Sequence, residues 1–568
     1  MMTAKQSLER RIDQARGTAA ADLVLKDGRY LDVALGTLKL GDVAICGDTI
    51  VGLGFDYRGQ REIDARGKVI VPGFIDTHVH VESSMVTPVE FGRCVLPRGT
   101  TTAICDPHEI SNVLGAAGLD YFLEVSGRIP LDLFVQLSSC VPATHLETSG
   151  GSLSAQELAE RREHPRSLGL AEMMNFPGLL AKDPEVLEKL AAFEGRHIDG
   201  HAPLISGRDL CAYAACGIRN CHESSSLPEA EEKLSLGLQV LLREGSVAKN
   251  LDSLVPLLTE RTWPFLAFCT DDRNPLDIAR EGHLDYLIRR AIAKGAPLLD
   301  VYRCASWAAA RHFGLMDRGM VAPGQRADLV VLDDLESCAV AQVVSAGRPV
   351  DEELLAMDPG VAPVGYGSMK LHPVAPEVFE VPASAPFPII AIQPHSLVTN
   401  RLDLPLPARN GYRQPDPEQD VLRVAVVERH HYTGNVGRGF VKGFGFREGA
   451  LAASVGHDSH NVTVVGAETS DMAAAVNRLL ELGGGFVAVR DGNVLAELPL
   501  PVAGLMSDRP FGEVAEMLKP LHRATGAMGC SLADPFIQMA FLALPVIPHL
   551  KITDRGLVDV DRFELIAA

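Results

Sequence analysis

Six residues carry the chemistry that is easiest to read from this chain: His78, His80, Glu172, His201, His222 and Asp271. The first two stand one residue apart in "GFIDTHVHVESS", directly after the apolar run "VIVPGFI". Alternate residues of a strand point the same way, so both imidazoles can face one ion. Taken alone, such a pair is an ordinary strand end. It gains meaning because His201 ("DGHAP"), His222 ("NCHES") and Asp271 ("CTDDRNP") close later apolar runs. Imidazole and carboxylate donors suit Zn, Mn, Fe or Co. Four histidines and two carboxylates exceed what one tetrahedral ion needs; two divalent ions sharing a bridging ligand would use all six. Glu172, in "GLAEMM", is the expected bridge, since its carboxylate offers two oxygens. Asp271 would complete one ion's shell and could also move protons.

Two metal ions across a water lower its pKa and supply hydroxide at neutral pH. A carboxylate such as Asp271 can accept a proton and return it to a leaving amine. This chemistry fits hydrolysis at an amide, ester or amidine-like carbon. It does not separate ring opening from deamination.

These residues need a frame that brings distant segments to one place. Between residues 69 and 272 eight apolar runs recur: "VIVPGFIDTHVH", "TTAICDP", "DLFVQLSS", "LGLAEMM", "RHIDGHA", "IRNCHES", "LQVLLREGS" and "PFLAFCTDD". Helical patterns such as "SAQELAERREHP" and "DPEVLEKLAAFEG" lie between some of them. Repeated β-then-α units predict an α/β chain with a (β/α)8 TIM-type barrel, whose reactive groups sit at the C-terminal strand ends. The first seventy residues hold short apolar runs cut by Asp-Gly and Gly-Asp turns, which predicts small antiparallel β-structure. "GQRADLVVLDD" resembles them and is expected to join them in one β-domain. The expected divisions are 1–71 for the N-terminal segment and first part of that β-domain, 72–314 for the barrel, 315–350 for the second part of the β-domain, 351–417 for a proline-rich connector, and 418–568 for a C-terminal α+β domain.

The formal net charge of −20 disfavours nucleic acid and anionic membrane surfaces as partners. The N-terminus is polar, without the apolar core of a secretory signal. The most apolar late stretch, "PFIQMAFLALPVIP", is too short to span a bilayer. Eleven scattered cysteines form no CxxC pair, as expected for buried thiols in a reducing cytoplasm. Large α/β enzymes are commonly symmetric oligomers, so a homo-oligomer, a dimer, is expected.

The motifs resemble the amidohydrolase superfamily and, within it, the bacterial adenine deaminases. "PGFIDTHVHVESSM", "ICDPHEI", "GLAEMMNFPG", "DGHAP", "NCHES", "CTDDRNP" and "ASWAAARHFGL" carry the likeness, with "EGALAASVGHDSHN" and "PFIQMAFLALPVIPHLK" far downstream. The resemblance implies hydrolysis of adenine to hypoxanthine and ammonia in purine salvage. It implies a two-metal site in which manganese or iron is favoured and zinc is possible. His78, His80 and Asp271 would hold one ion, His201 and His222 the other, and Glu172 would bridge where other members use a carboxylated lysine.

Single-metal deaminases of the superfamily carry a glutamate three residues after the fifth-run histidine. Here that position is Leu204, so the general acid must come from elsewhere. Asp271, His108, Glu109 and Glu223 are candidates. Glu82 and Ser83 are expected to line the substrate pocket, with His108, Glu223 and His457 as further substrate contacts. An amidohydrolase opening a cyclic amide, dihydropyrimidinase- or hydantoinase-like, is the alternative activity. An inactive scaffold on this fold would typically have lost ligands, and all six are present.

Overall fold

In the computed structural model, residues 3–384, 387–393 and 396–566 are described. The eight apolar runs form eight strands: β1 (Phe74–Val79), β2 (Thr100–Cys105), β3 (Asp132–Leu137), β4 (Ser167–Met173), β5 (His197–Gly200), β6 (Asn220–Cys221), β7 (Gln239–Arg243) and β8 (Leu266–Cys269). Parallel strands covered on both faces bury nearly every side chain, which is why they read as unbroken apolar runs. β1 to β5 pair in sequence order in one sheet and β6 to β8 in a second, all parallel.

Backbone hydrogen bonds join the two sheets at both seams. The Arg219 N–H donates to Ile198 O at 3.0 Å, and the Asp271 N–H donates to His78 O at 3.0 Å. The fold is thus a curled, distorted TIM-type barrel. Asp271 has φ +53°, which turns the chain out of strand geometry where β8 meets β1. The intervening helices have local causes. Ser154 and Glu157 form a reciprocal capping box at Ala155–Arg161, and Asp183 caps Pro184–Ala192, whose proline fits the first helical position.

The two flanks of the barrel share an eight-stranded sheet, in which Val69–Pro72 pairs antiparallel with Leu329–Asp334. The expectation of antiparallel structure in the first seventy residues needs correction. Ala21–Asp32 pairs antiparallel with Thr37–Cys46, but parallel with Gly59–Asp64 and Val69–Pro72. Tight turns specify hairpins; a parallel partner arrives through a longer connection that carries no local signal.

A second eight-stranded sheet forms the C-terminal domain. Ile389–Ile392 and Thr399–Leu402, from the stretch read as connector, are the last two strands on one side of it, with Thr399–Leu402 at the edge. The late apolar stretch folds as a short helix, Pro535–Ala540, and a turn. It packs Phe541, Leu544, Val546 and Ile547 against Cys140, Ala143 and Met174 of the barrel loops. This lid covers the C-terminal end of the barrel. No helix among the described residues is long and apolar enough to cross a membrane.

Lys551 lies under the lid. Its Nζ donates to Leu397 O at 2.8 Å and Phe541 O at 3.0 Å. Burial lowers its pKa to about 7. Between that value and the ordinary lysine range the unfolded chain binds a proton that the folded chain lacks, so stability rises with pH across this window. Lys551→Met should lose that rise. Chemical denaturation of both proteins at pH 7 and pH 9.5 checks this; equal pH dependence would contradict it.

Candidate metal centre at the barrel mouth

All six expected ligands converge at the C-terminal ends of the barrel strands, buried in every case. His78 Nε2 and His80 Nε2 are 3.2 Å apart. Glu172 Oε1 lies 3.7 Å from the first and 3.3 Å from the second. Asp271 Oδ1 lies 3.7 and 3.2 Å from the same two atoms. The other Glu172 oxygen, Oε2, is 2.7 Å from His201 Nδ1 and 3.3 Å from His222 Nε2. One carboxylate therefore faces two histidine pairs, one oxygen to each.

This arrangement fits metal ions on its own chemistry. The facing atoms are imidazole nitrogens and carboxylate oxygens packed together away from water, and His201 Nε2 and His222 Nδ1 have no hydrogen-bond partner. Divalent cations would satisfy them together. The His80 Nδ1–H donates to Asp106 O at 3.0 Å, which leaves the Nε2 lone pair aimed into the cluster. The clusters are linked: His78, His222 and Asp271 form one ligand group, and Glu172, His201 and His222 another. Together they make a binuclear metal site.

Charge at the site is set by one residue that the sequence reading passed over. Arg243, closing β7, donates from Nη1 to Asp271 Oδ2 at 2.8 Å and from Nη2 to Glu223 Oε2 at 2.9 Å. Its only signal was a charged residue ending the run "LQVLLREGS". Burial works against ionisation of Asp271, yet the close approach of His80 and the Arg243 charge hold it well below the usual carboxylate range. Burial opposes Glu223 in the same way, and Arg243 outweighs it, bringing the carboxyl to about 2. The neighbouring Asp272 is pushed up by burial and by the Asp271 charge.

Arg243→Met should lower metal affinity or turnover by roughly 10–100-fold, as loss of a supporting partner does. It would leave two buried carboxylates unpaired. Metal titration and ammonia assay check this, and wild-type values in both would contradict it.

The remaining expected site residues divide. His108, Glu109, Glu223 and His457 line a space of about 30 Å³ beside the cluster, with Met174, Asp458 and the lid residues Phe541, Leu544 and Ile547. Glu82 and Ser83, expected in the pocket, are not in this lining. They lie in a 3₁₀ turn, Val81–Ser84, directly after β1. Glu82 Oε1 accepts the Ile110 N–H at 3.1 Å, and the Ser83 hydroxyl donates to Asp272. Burial and the Glu109 charge raise Glu82 to about 7. Leu204 is largely exposed and takes no place in the cluster. A larger cavity of about 750 Å³ adjoins, sharing Glu223, Arg243, Leu397 and Ile547 as walls with the small one.

The chain matches the amidohydrolase family over residues 69–350 and the adenine deaminase C-terminal domain over residues 396–564. The adenine deaminase of Cereibacter sphaeroides is 57% identical over 562 residues, 99% of this chain and 100% of its own length. That of Methylobacterium nodulans is 58% identical over 561 residues, 98% and 99% of the two chains. Adenine deaminase 1 of Agrobacterium fabrum is 56% identical over 561 residues, 99% of this chain and 98% of its own. Likeness at this level over both full lengths, in a fold with a buried binuclear metal site, means that the chain belongs to the adenine deaminase family of the amidohydrolase superfamily, the metal-dependent hydrolases.

Proposed function

We propose that this protein hydrolyses adenine to hypoxanthine and ammonia, a step of purine salvage. The observation that carries the reading is Glu172, whose two oxygens face two separate histidine pairs. The names of the relatives supply the purine substrate. His78, His80 and Asp271 would hold one ion, His201 and His222 the other, with Glu172 shared. The donors are nitrogen and oxygen only, which suits manganese or iron, with zinc as a further occupant. When bound, the pair supplies an activated water and positive charge at the reacting carbon.

The chain's own residues do the rest. Asp271 is ionised, with one oxygen fixed by Arg243 and the other facing His80. It takes up the proton released in attack and returns it to the leaving amine. No carboxylate stands at position 204 to share this task. Glu223, pinned by Arg243 in the wall common to both cavities, faces the side from which a purine would approach. The space beside the cluster has room for a water but not for a planar ring. Substrate therefore comes from the larger cavity, and Leu397 and Ile547 must part to admit it. His108, Glu109 and His457 also line the small space.

A cytoplasmic homodimer is the assembly we infer, supported by eleven unpaired cysteines and by the oligomeric habit of large α/β enzymes. Sedimentation tests the dimer. The activity is tested by presenting manganese-loaded enzyme with adenine, a dihydropyrimidine and a hydantoin. Ammonia from adenine alone is expected. Ring opening of a cyclic amide without ammonia from adenine would transfer the reading to a cyclic amidohydrolase.

A further inference from the structure

A second set of ligand-type atoms meets where the C-terminal domain touches the barrel. His108 and Glu109 begin the helix His108–Leu114 that follows β2, and His457 and Asp458 precede the strand Val462–Gly466. One donor atom from each lies within 4.8 Å of the other three. His108 Nε2 is 3.3 Å from Glu109 Oε1 and 3.7 Å from Asp458 Oδ1. His457 Nδ1 is 2.6 Å from Glu109 Oε1 and 3.7 Å from Asp458 Oδ1. A tetrahedral ion with bonds of about 2.0–2.1 Å sets its donors about 3.3–3.4 Å apart. The four side chains bracket that spacing, and all are buried.

The second observation is an unmet need. Glu109 Oε1 and Asp458 Oδ2 are buried and have no hydrogen-bond partner. The 2.6 Å approach of His457 to Glu109 is therefore a contact without hydrogen-bond alignment, as expected of atoms that converge on a common point. The surrounding groups hold the donors in place. Asp106 accepts from Ser138 Oγ at 2.7 Å and from the His108 Nδ1–H at 3.0 Å, so His108 presents its Nε2 lone pair to the cluster. His108 Nδ1 is also 3.5 Å from Glu172, but its proton is committed to Asp106. The His460 Nε2–H donates to the second Glu109 oxygen. The His457 ring stacks on Phe541, with centroids 4.5 Å apart and planes at 12°. Carboxylate–histidine pairs of this kind orient metal ligands. Two carboxylates and two neutral imidazoles around a divalent cation leave no net charge in the interior.

We propose that His108, Glu109, His457 and Asp458 bind a third divalent cation, distinct from the pair at Glu172, which fastens the C-terminal domain over the barrel mouth. It requires neither a particular substrate nor the deaminase reading. The test uses the full-length protein loaded with excess Mn²⁺ or Zn²⁺, freed of unbound ion and analysed for metal. Wild type should retain close to three equivalents per chain. Asp458→Asn, nearly isosteric, and His457→Gln should each retain one fewer, with a lower thermal midpoint than wild type. Two equivalents in wild type, or three in both variants, would overturn the proposal. Anomalous diffraction from metal-loaded wild-type crystals needs no variant. A peak enclosed by the four side chains supports the site, and peaks confined to the Glu172 cluster refute it.

Discussion

Asp271→Asn is expected to lower ammonia release from adenine by about 10³-fold, within the range for loss of a general base, while the fold persists. The reason is the division of labour between the two oxygens of Asp271. Oδ2 accepts from Arg243 at 2.8 Å, and Oδ1 faces His80 at 3.2 Å. Asparagine can keep the arginine bond through its carbonyl oxygen, but it then presents an amide N–H₂ to the cluster, which neither ligates a cation nor accepts a proton. The backbone should tolerate the change. Asp271 sits at φ +53° with its N–H bonded to His78 O, and asparagine adopts that left-handed geometry as readily as aspartate. Circular dichroism and an ammonia assay on the same sample check both halves. A near-normal rate would remove Asp271 from the mechanism.

Glu172→Gln is expected to remove about one equivalent of metal relative to wild type and nearly all turnover with it. Glu172 reaches both histidine pairs, His78 with His80 through Oε1 and His201 with His222 through Oε2. Its carboxyl stays ionised because, against the cost of burial, His201 and His222 hold it well below the usual range. Glutamine offers one carbonyl oxygen, so it can serve one pair and must turn an N–H₂ toward the other. Metal analysis reads the loss directly. An unchanged metal content would refute bridging.

How far the sequence could be read depended on how local each cause is. The barrel strands were legible because burial on both faces writes itself as continuous apolar runs, and polar residues closing those runs stand out. That is how His78, His80, Glu172, His201, His222 and Asp271 could be grouped before any geometry was known. Arg243 closes a run in the same way, but its partners Glu223 and Asp271 come from other strands, and a lone arginine has many uses. Glu82 and Ser83 follow β1 in a 3₁₀ turn and reach the Ile110 N–H and Asp272, contacts that no strand or helix pattern encodes. The parallel partners of Ala21–Asp32 lie across connections that encode no pairing. The strands Ile389–Ile392 and Thr399–Leu402 were hidden because each is only four residues long, too short to show an alternating pattern. The contact of His460 with Glu109 spans 351 residues, beyond the reach of any periodic pattern.

The most direct measurement is to run metal-replete enzyme on adenine in H₂¹⁸O and to weigh the product. Hydrolytic deamination predicts hypoxanthine carrying one ¹⁸O at the carbon that lost its amine, with one ammonia released for each hypoxanthine formed. Absence of ammonia from fully loaded enzyme, unlabelled hypoxanthine, or a ring-opened product that keeps all its nitrogens would contradict it.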